Sequence, residues 1–116
     1  MRIELARSTP PADQIVDQLR GFISSGRLAA GERLPSVRQL ARDLSVAPGT
    51  VAKAYRALEA EGFLTAKAGG STRVSSSAGA TDRKVLDAAR VLSAQCAQSG
   101  VDLEDAVRIL RAVWDA

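Results

Sequence analysis

A chain of 116 residues with a formal net charge of +3 has room for one small domain and a modest appendage. Its hydrophobic fraction of 46% supports a packed core, but aromatics supply only 3%, so Leu, Val, Ile and Ala must build it and burial by self-association is expected to add to it. The chain contains no His, which removes Ser/His and Cys/His nucleophile systems and the commonest metal ligand, and no Walker or Rossmann glycine loop occurs, so no enzyme, catalytic residue, metal or cofactor is expected.

Residues 1–9 read as irregular or as an extended arm. Pro10-Pro11 then opens a helix, because a proline in the first turn lacks an N–H that would be unpaired anyway. Ile15, Val16, Leu19, Phe22 and Ile23 follow at helical spacing, and Gly26 ends the helix. Gly31 to Pro35 suits a short strand or extended link. Ser36 reads as an N-cap with Gln39 completing a capping box, and Leu40, Ala41 and Leu44 face inward from the second helix. Ser45-Val46-Ala47 makes a turn in which Val46 plugs the joint. Pro48 begins a third helix that buries Val51, Ala54 and Leu58 and closes at Gly62, leaving Gly49, Thr50, Lys53 and Arg56 exposed and Tyr55 at the margin.

Two helices joined by a tight turn, the second carrying small and basic residues outward, is the sequence form of a helix-turn-helix. A hairpin follows: Phe63 to Lys67, a turn near Ala68-Gly69-Gly70, then Ser71 to Ser75. Helix-turn-helix plus basic-flanked hairpin predicts a winged helix. Ser75 to Ala80 reads as a linker. Thr81 or Asp82 caps a fourth helix with Val85, Ala89, Leu92 and Cys96 along one face, Ser99-Gly100 breaks it, and Asp102 caps a fifth with Leu103, Val107, Leu110 and Trp114 in register. Two such helices cannot form a core by themselves. They must pack on the winged helix or on a second copy.

The predicted fold is therefore mostly α with a small β-hairpin: a winged helix-turn-helix over residues 1–76 and a short two-helix dimerisation tail over 77–116. Residues 1–77 hold eleven Lys and Arg against seven Asp and Glu, whereas 78–116 hold five against six, so the basic excess lies with the helix-turn-helix. No apolar run approaches the roughly 18 residues of a membrane span, and no signal-like N-terminus is visible. The lone Cys96 reads as a small apolar helix residue and suits a reducing, cytoplasmic setting.

At Leu34-Pro35-Ser36-x-Arg38-x-Leu40-Ala41 and at Thr50-Val51-x-x-Ala54-Tyr55-x-x-Leu58-Glu59-x-x-Gly62 the chain closely resembles the GntR family of bacterial transcription regulators. The resemblance runs unbroken from about Pro10 to Val74, and the short tail is similar to the YtrA-type subfamily. It implies a homodimer on an inverted-repeat double-stranded operator, acting as a repressor, with a small-molecule effector left unassigned and no membrane partner. It places Arg38 and Thr50 against the operator, Lys53 one turn further, and the wing tip at Gly69 in the minor groove.

Around these, the expected DNA-binding set is Arg38, Gly49, Thr50, Lys53, Arg56, Lys67, Gly69, Gly70, Thr72 and Arg73. The expected dimerisation set is Val85, Ala89, Leu92, Leu103, Val107, Leu110 and Trp114. The chain departs from its relatives at Ala47-Pro48, where many carry a capping Ser, Thr or Asn followed by a polar residue, and at Ser71 and Arg73, where glycine and an aromatic are usual. Bland roles stay open: Arg38 pairing with Asp43 or Glu32, Thr50 capping a helix amide, Arg56 pairing with Glu59, Arg73 pointing to solvent, Trp114 in a core. Tyr55 is expected to pack while its hydroxyl reaches a phosphate. Two rival readings remain open, a winged helix for protein or RNA contact and a fragment of a larger GntR-type fusion. The capped fifth helix argues against the second.

Overall fold

Pro11 starts α1 (Pro11–Ser24) and Asp13 occupies its first turn, where the helix dipole favours negative charge. The computed structural model of the protein describes residues 1–66, 70–76 and 83–114. Along α1, Ile15, Leu19 and Ile23 are buried on one face, and Gly26 at φ 79° turns the chain so that the Leu28 N–H donates to the Phe22 carbonyl at 3.0 Å. The remaining elements are α2 (Val37–Leu44), α3 (Pro48–Ala60), β1 (Leu64–Ala66), β2 (Thr72–Val74), α4 (Arg83–Ser99) and α5 (Leu103–Trp114). The chain forms two compact units, Met1–Thr81 and Asp82–Ala116.

In the first unit α1, α2 and α3 enclose a core of Ile15, Leu19, Ile23, Leu40, Val51, Ala54, Tyr55 and Leu58, closed from the hairpin by Leu64 and Val74. Each fully buried aliphatic side chain contributes about 1.5–3 kcal/mol. β1 and β2 are antiparallel, with Leu64 opposite Val74, Thr65 opposite Arg73 and Ala66 opposite Thr72. Both strands are shorter than the sequence suggests, and Lys67 to Gly69 lie outside the described residues.

Gly31 to Leu34 does more than link. The Gly31 and Leu34 N–H groups donate to the Val74 and Thr72 carbonyls, and the Val74 N–H donates to the Glu32 carbonyl, all at 2.9 Å. This segment lies along β2 on the side away from β1. Ser75, where the expected hairpin and linker overlap, is buried and its N–H donates to the Phe63 carbonyl at 2.9 Å, so it belongs to the wing.

The first nine residues have no regular structure, as expected, yet they are anchored. Ile3 joins the core. Gln18 of α1 accepts from the Glu4 N–H at 2.9 Å and donates to its carbonyl at 2.6 Å, and Gln14 does the same for Ala6 at 2.6 and 2.7 Å. Two amides one helical turn apart thus serve alternate arm residues as a neighbouring strand would.

The second unit is a helical hairpin. Gly100, at φ 70°, ends α4, and the Val101 N–H returns to the Cys96 carbonyl at 2.9 Å. The Asp102 carboxylate accepts from the Asp105 N–H at 2.8 Å, capping α5 as expected. The expected cap of α4 at Thr81 or Asp82 lies outside the described residues. Neither helix buries any described residue.

Candidate nucleic-acid interface

The joint between α2 and α3 is built from backbone geometry. Ser36 caps α2 by accepting the Gln39 N–H at 3.1 Å, but the Gln39 amide donates to Asp43 at 2.8 Å and accepts from Arg42 at 3.0 Å, so the expected reciprocal half of the capping box is absent. Ser45 adopts the left-handed conformation (φ 55°), and Val46 follows with its N–H on the Ala41 carbonyl at 3.0 Å and its side chain against the core. Ala47 sits in N-cap geometry before Pro48 and supplies no side-chain acceptor.

Two contacts lock α3 in place. Tyr55 is buried, and its hydroxyl donates to the Pro35 carbonyl at 2.7 Å, one residue ahead of the α2 cap. The expected reach of that hydroxyl to a phosphate is thereby corrected: it is engaged inside the fold. Burial pushes the phenol up to about 12. At the far end of α3, Arg20 of α1 grips Glu61 with two parallel hydrogen bonds of 2.6 and 3.1 Å. The hydrogen bond to Glu61 raises the Arg20 pKa against a smaller opposing effect of burial. Both side chains are about 40% exposed, which limits this pair to at most about 1 kcal/mol.

With Val51, Ala54, Tyr55 and Leu58 turned inward, the opposite face of α3 presents Gly49, Lys53, Arg56 and Ala60, all exposed and spaced by whole turns. Thr50 is half-buried at the edge of that face. Arg38 stands exposed in the first turn of α2. A Cβ on Gly49 would meet no heavy atom within 4 Å, so the fold does not require glycine there and the start of α3 is left bare.

Among the described residues, Arg38, Lys53 and Arg56 form no ion pair, and Arg56 does not take up Glu59. In the second unit, by contrast, Arg83 and Arg90 pair with Asp87, and Arg108 with Asp105. Uncompensated cations on one helix face suit a polyanion.

On the wing, Gly70 is exposed, Thr72 is half-buried, and Arg73 is exposed with a guanidinium N–H donated to the Gly31 carbonyl at 3.1 Å. Lys67 and Gly69 lie outside the described residues. In the second unit Val85, Ala89, Leu92, Leu103, Val107, Leu110 and Trp114 are all exposed, with Trp114 at 74%. Ala89, Leu92, Cys96, Val101, Leu103 and Ala106 line a groove of about 320 Å³ between α4 and α5. Val91, Ile109 and Val113 add exposed apolar surface that the expected stripes leave out. Among the described residues no cluster of His, Cys, Asp and Glu could hold a metal, and no helix is long and apolar enough to cross a membrane.

Comparison with known proteins agrees with this geometry. The gntR family of bacterial regulatory proteins matches residues 11–74. The chain is 38% identical over 81 residues to the HTH-type transcriptional repressor YtrA of Bacillus subtilis, covering 70% of this chain and 62% of that one, so it spans less than two thirds of that relative. It is 34% identical over 115 residues to the HTH-type transcriptional regulator Rv1152 of Mycobacterium tuberculosis, covering 99% and 94%. Among solved structures, YtrA from Sulfolobus acidocaldarius, a GntR-family transcription factor, superposes with a TM-score of 0.58 at 36% identity over 79% of this chain and 96% of that one. The joined helices, the exposed basic face and the wing are thus those of a DNA-binding winged helix-turn-helix, and the chain belongs to the GntR family of transcription regulators.

Proposed function

We propose that two copies of this chain bind an inverted-repeat operator as a homodimer and repress transcription from it, acting in the cytoplasm. The observation that carries the reading is the unpaired basic face, with Lys53 and Arg56 on α3 and Arg38 beside them on α2. A B-DNA major groove about 12 Å wide admits α3. Arg38 can then fork onto guanine O6 and N7, Thr50 and Lys53 meet base edges or phosphate one turn apart, and Arg56 follows the backbone. The wing, with Lys67, Gly69, Gly70 and Thr72, lies over the adjacent minor groove.

The tail supports the dimer. Its apolar side chains are exposed in a single copy, and a second copy of the same hairpin offers a matching surface. Two recognition helices would then reach half-sites about 34 Å apart. The sign of regulation follows the Bacillus relative, which is described as a repressor.

Fluorescence anisotropy tests the reading, using DNA from upstream of the protein's own gene and a scrambled duplex across a salt series. Binding to the native fragment at least about 10³-fold tighter is expected. Equal, weak binding to both duplexes would remove that fragment as the operator. Absence of binding at low salt would favour a protein-contact role. Light scattering at micromolar concentration should report a dimer, and a monomer there overturns the role given to the tail.

A further inference from the structure

We propose that Arg33 and Arg73 together form a second DNA-backbone site, a phosphate-binding pair on the outer face of the wing. It rests on the reading of the first unit as a DNA-binding domain. Arg33 and Arg73 are directly opposed in an antiparallel bridge. The hydrogen bonds around them run from the Leu34 N–H to the Thr72 carbonyl and from the Val74 N–H to the Glu32 carbonyl. That pattern makes the arginines a non-hydrogen-bonded pair, the kind in which Cα atoms approach to about 4.5 Å and side chains lie closest. Their neighbours Leu34 and Val74 are buried, so strand alternation puts both arginines on the face away from the core, and both are exposed.

Two like charges directly opposed in a ladder oppose pairing of the strands. No ion pair among the described residues relieves them. Among the described residues neither arginine has a carboxylate partner, and Arg73 is bonded to the neutral Gly31 carbonyl at 3.1 Å. The adjacent Glu32 carboxylate accepts from the Ala29 N–H at 3.1 Å. Asp43 shares a cleft with Arg33 but accepts the Gln39 amide. Arg33 also lines a second cleft, with Ser36 and Val37 at the start of α2 and Gly70, Ser71 and Thr72 of the wing. Arg33 therefore adjoins both the α2 terminus that carries Arg38 and the described part of the wing turn.

Duplex phosphates along the outer face of the wing meet two guanidinium groups whose mutual repulsion they relieve. Such contacts hold orientation and carry no sequence information. The pair should thus add affinity and salt dependence equally on every duplex.

The test is anisotropy of the 116-residue chain on its operator and on a scrambled duplex, for the parent, Arg33→Gln, Arg73→Gln, the double variant and Arg33→Lys. Each Gln substitution, present in both copies of the proposed dimer, should lower the slope of log affinity against log salt by about 1.8, and the double variant by about 3.6. Raising salt fourfold then costs an Arg33→Gln variant about 12-fold less affinity than it costs the parent. The ratio of operator to scrambled affinity should not change, Arg33→Lys should keep the parent slope, and the Arg33→Gln melting temperature should stay level or rise. An unchanged slope in Arg33→Gln, or a loss confined to the operator, overturns the phosphate pair while leaving operator binding intact. Failure of the parent to bind either duplex overturns the underlying reading, and the pair with it.

Discussion

The Tyr55 hydroxyl ties the recognition helix to the residue before the α2 cap, and Tyr55→Phe deletes that bond without changing the ring's burial. A neutral hydrogen bond contributes about 0.5–1.5 kcal/mol net, and the half-buried Pro35 leaves room for water at the orphaned carbonyl, so about 1 kcal/mol is the expected loss near neutral pH. Alkaline pH adds a sharper signature. Burial raises the phenol from 10.0 to about 12 in the folded chain. A raised pKa means stability that is fully present below the unfolded value and is lost as pH climbs through the folded one. The parent should lose about 1.4 kcal/mol by one unit above the unfolded pKa, while the Phe variant lacks this loss. The two stability curves should therefore cross between about pH 10.5 and 11. Urea unfolding followed by circular dichroism at stepped pH measures the curves. Tyr55 is the sole tyrosine, so tyrosinate absorbance reports its ionisation directly. Parallel curves, or a native midpoint near the ordinary value, refute the reasoning. So would a fall in DNA affinity with no fall in stability, because the hydroxyl would then be serving a phosphate.

Three further outcomes follow from the same geometry. Arg38→Ala should cost about 1–3 kcal/mol of operator preference per half-site in competition anisotropy and leave the melting curve unchanged, since Arg38 is exposed and unpaired among the described residues. Ala47→Ser should stabilise the fold by about 0.5–1 kcal/mol in urea titrations, because Ala47 already has the extended φ −65°, ψ 143° of an N-cap and lacks only the acceptor. Leu110→Glu should shift the protein from dimer to monomer by light scattering while the circular dichroism of the chain is retained, since the charge falls on an exposed apolar face and not in the core.

What the sequence made legible was whatever repeats within a few residues. The stripe Ile15, Leu19, Ile23, the Ser36 cap, the closing Gly62 and the Asp102 cap each depend on neighbours within one or two turns. The exposed basic side of α3 was legible for the same reason, being the complement of Val51, Ala54 and Leu58. Contacts that join distant segments left no periodic trace. Gly31 to Leu34 finds its partner some forty residues on, and Arg20 meets Glu61 across a separation of 41. Ser45 gave no warning of φ 55°, because a non-glycine residue takes that conformation only where surrounding packing holds it. Tyr55 was misplaced by one degree of freedom: helical spacing located its ring near the buried side, but the hydroxyl's acceptor belongs to a loop that spacing says nothing about.

That division between local and distant information bears on how this interface can discriminate among sequences. Ala47, Pro48 and Gly49 give the start of α3 no polar side chain, and the open space around Gly49 means that the fold did not impose its glycine. These three positions therefore offer no side-chain hydrogen bond to a base edge. On the proposed operator reading, direct readout then falls to Arg38, Thr50 and Lys53, each limited to about 1–3 kcal/mol for a good bidentate pair and less for a single contact. One copy holding three such residues would select an operator weakly against a genome of competing sites. Two copies on a symmetric site count each contact twice, and a bare helix start permits closer approach of the α3 backbone to DNA, where groove shape and phosphate position can be sensed. Under the proposed homodimer the sparse face of α3 and the exposed apolar tail are two sides of one requirement: the fewer bases one copy reads, the more operator binding depends on a second.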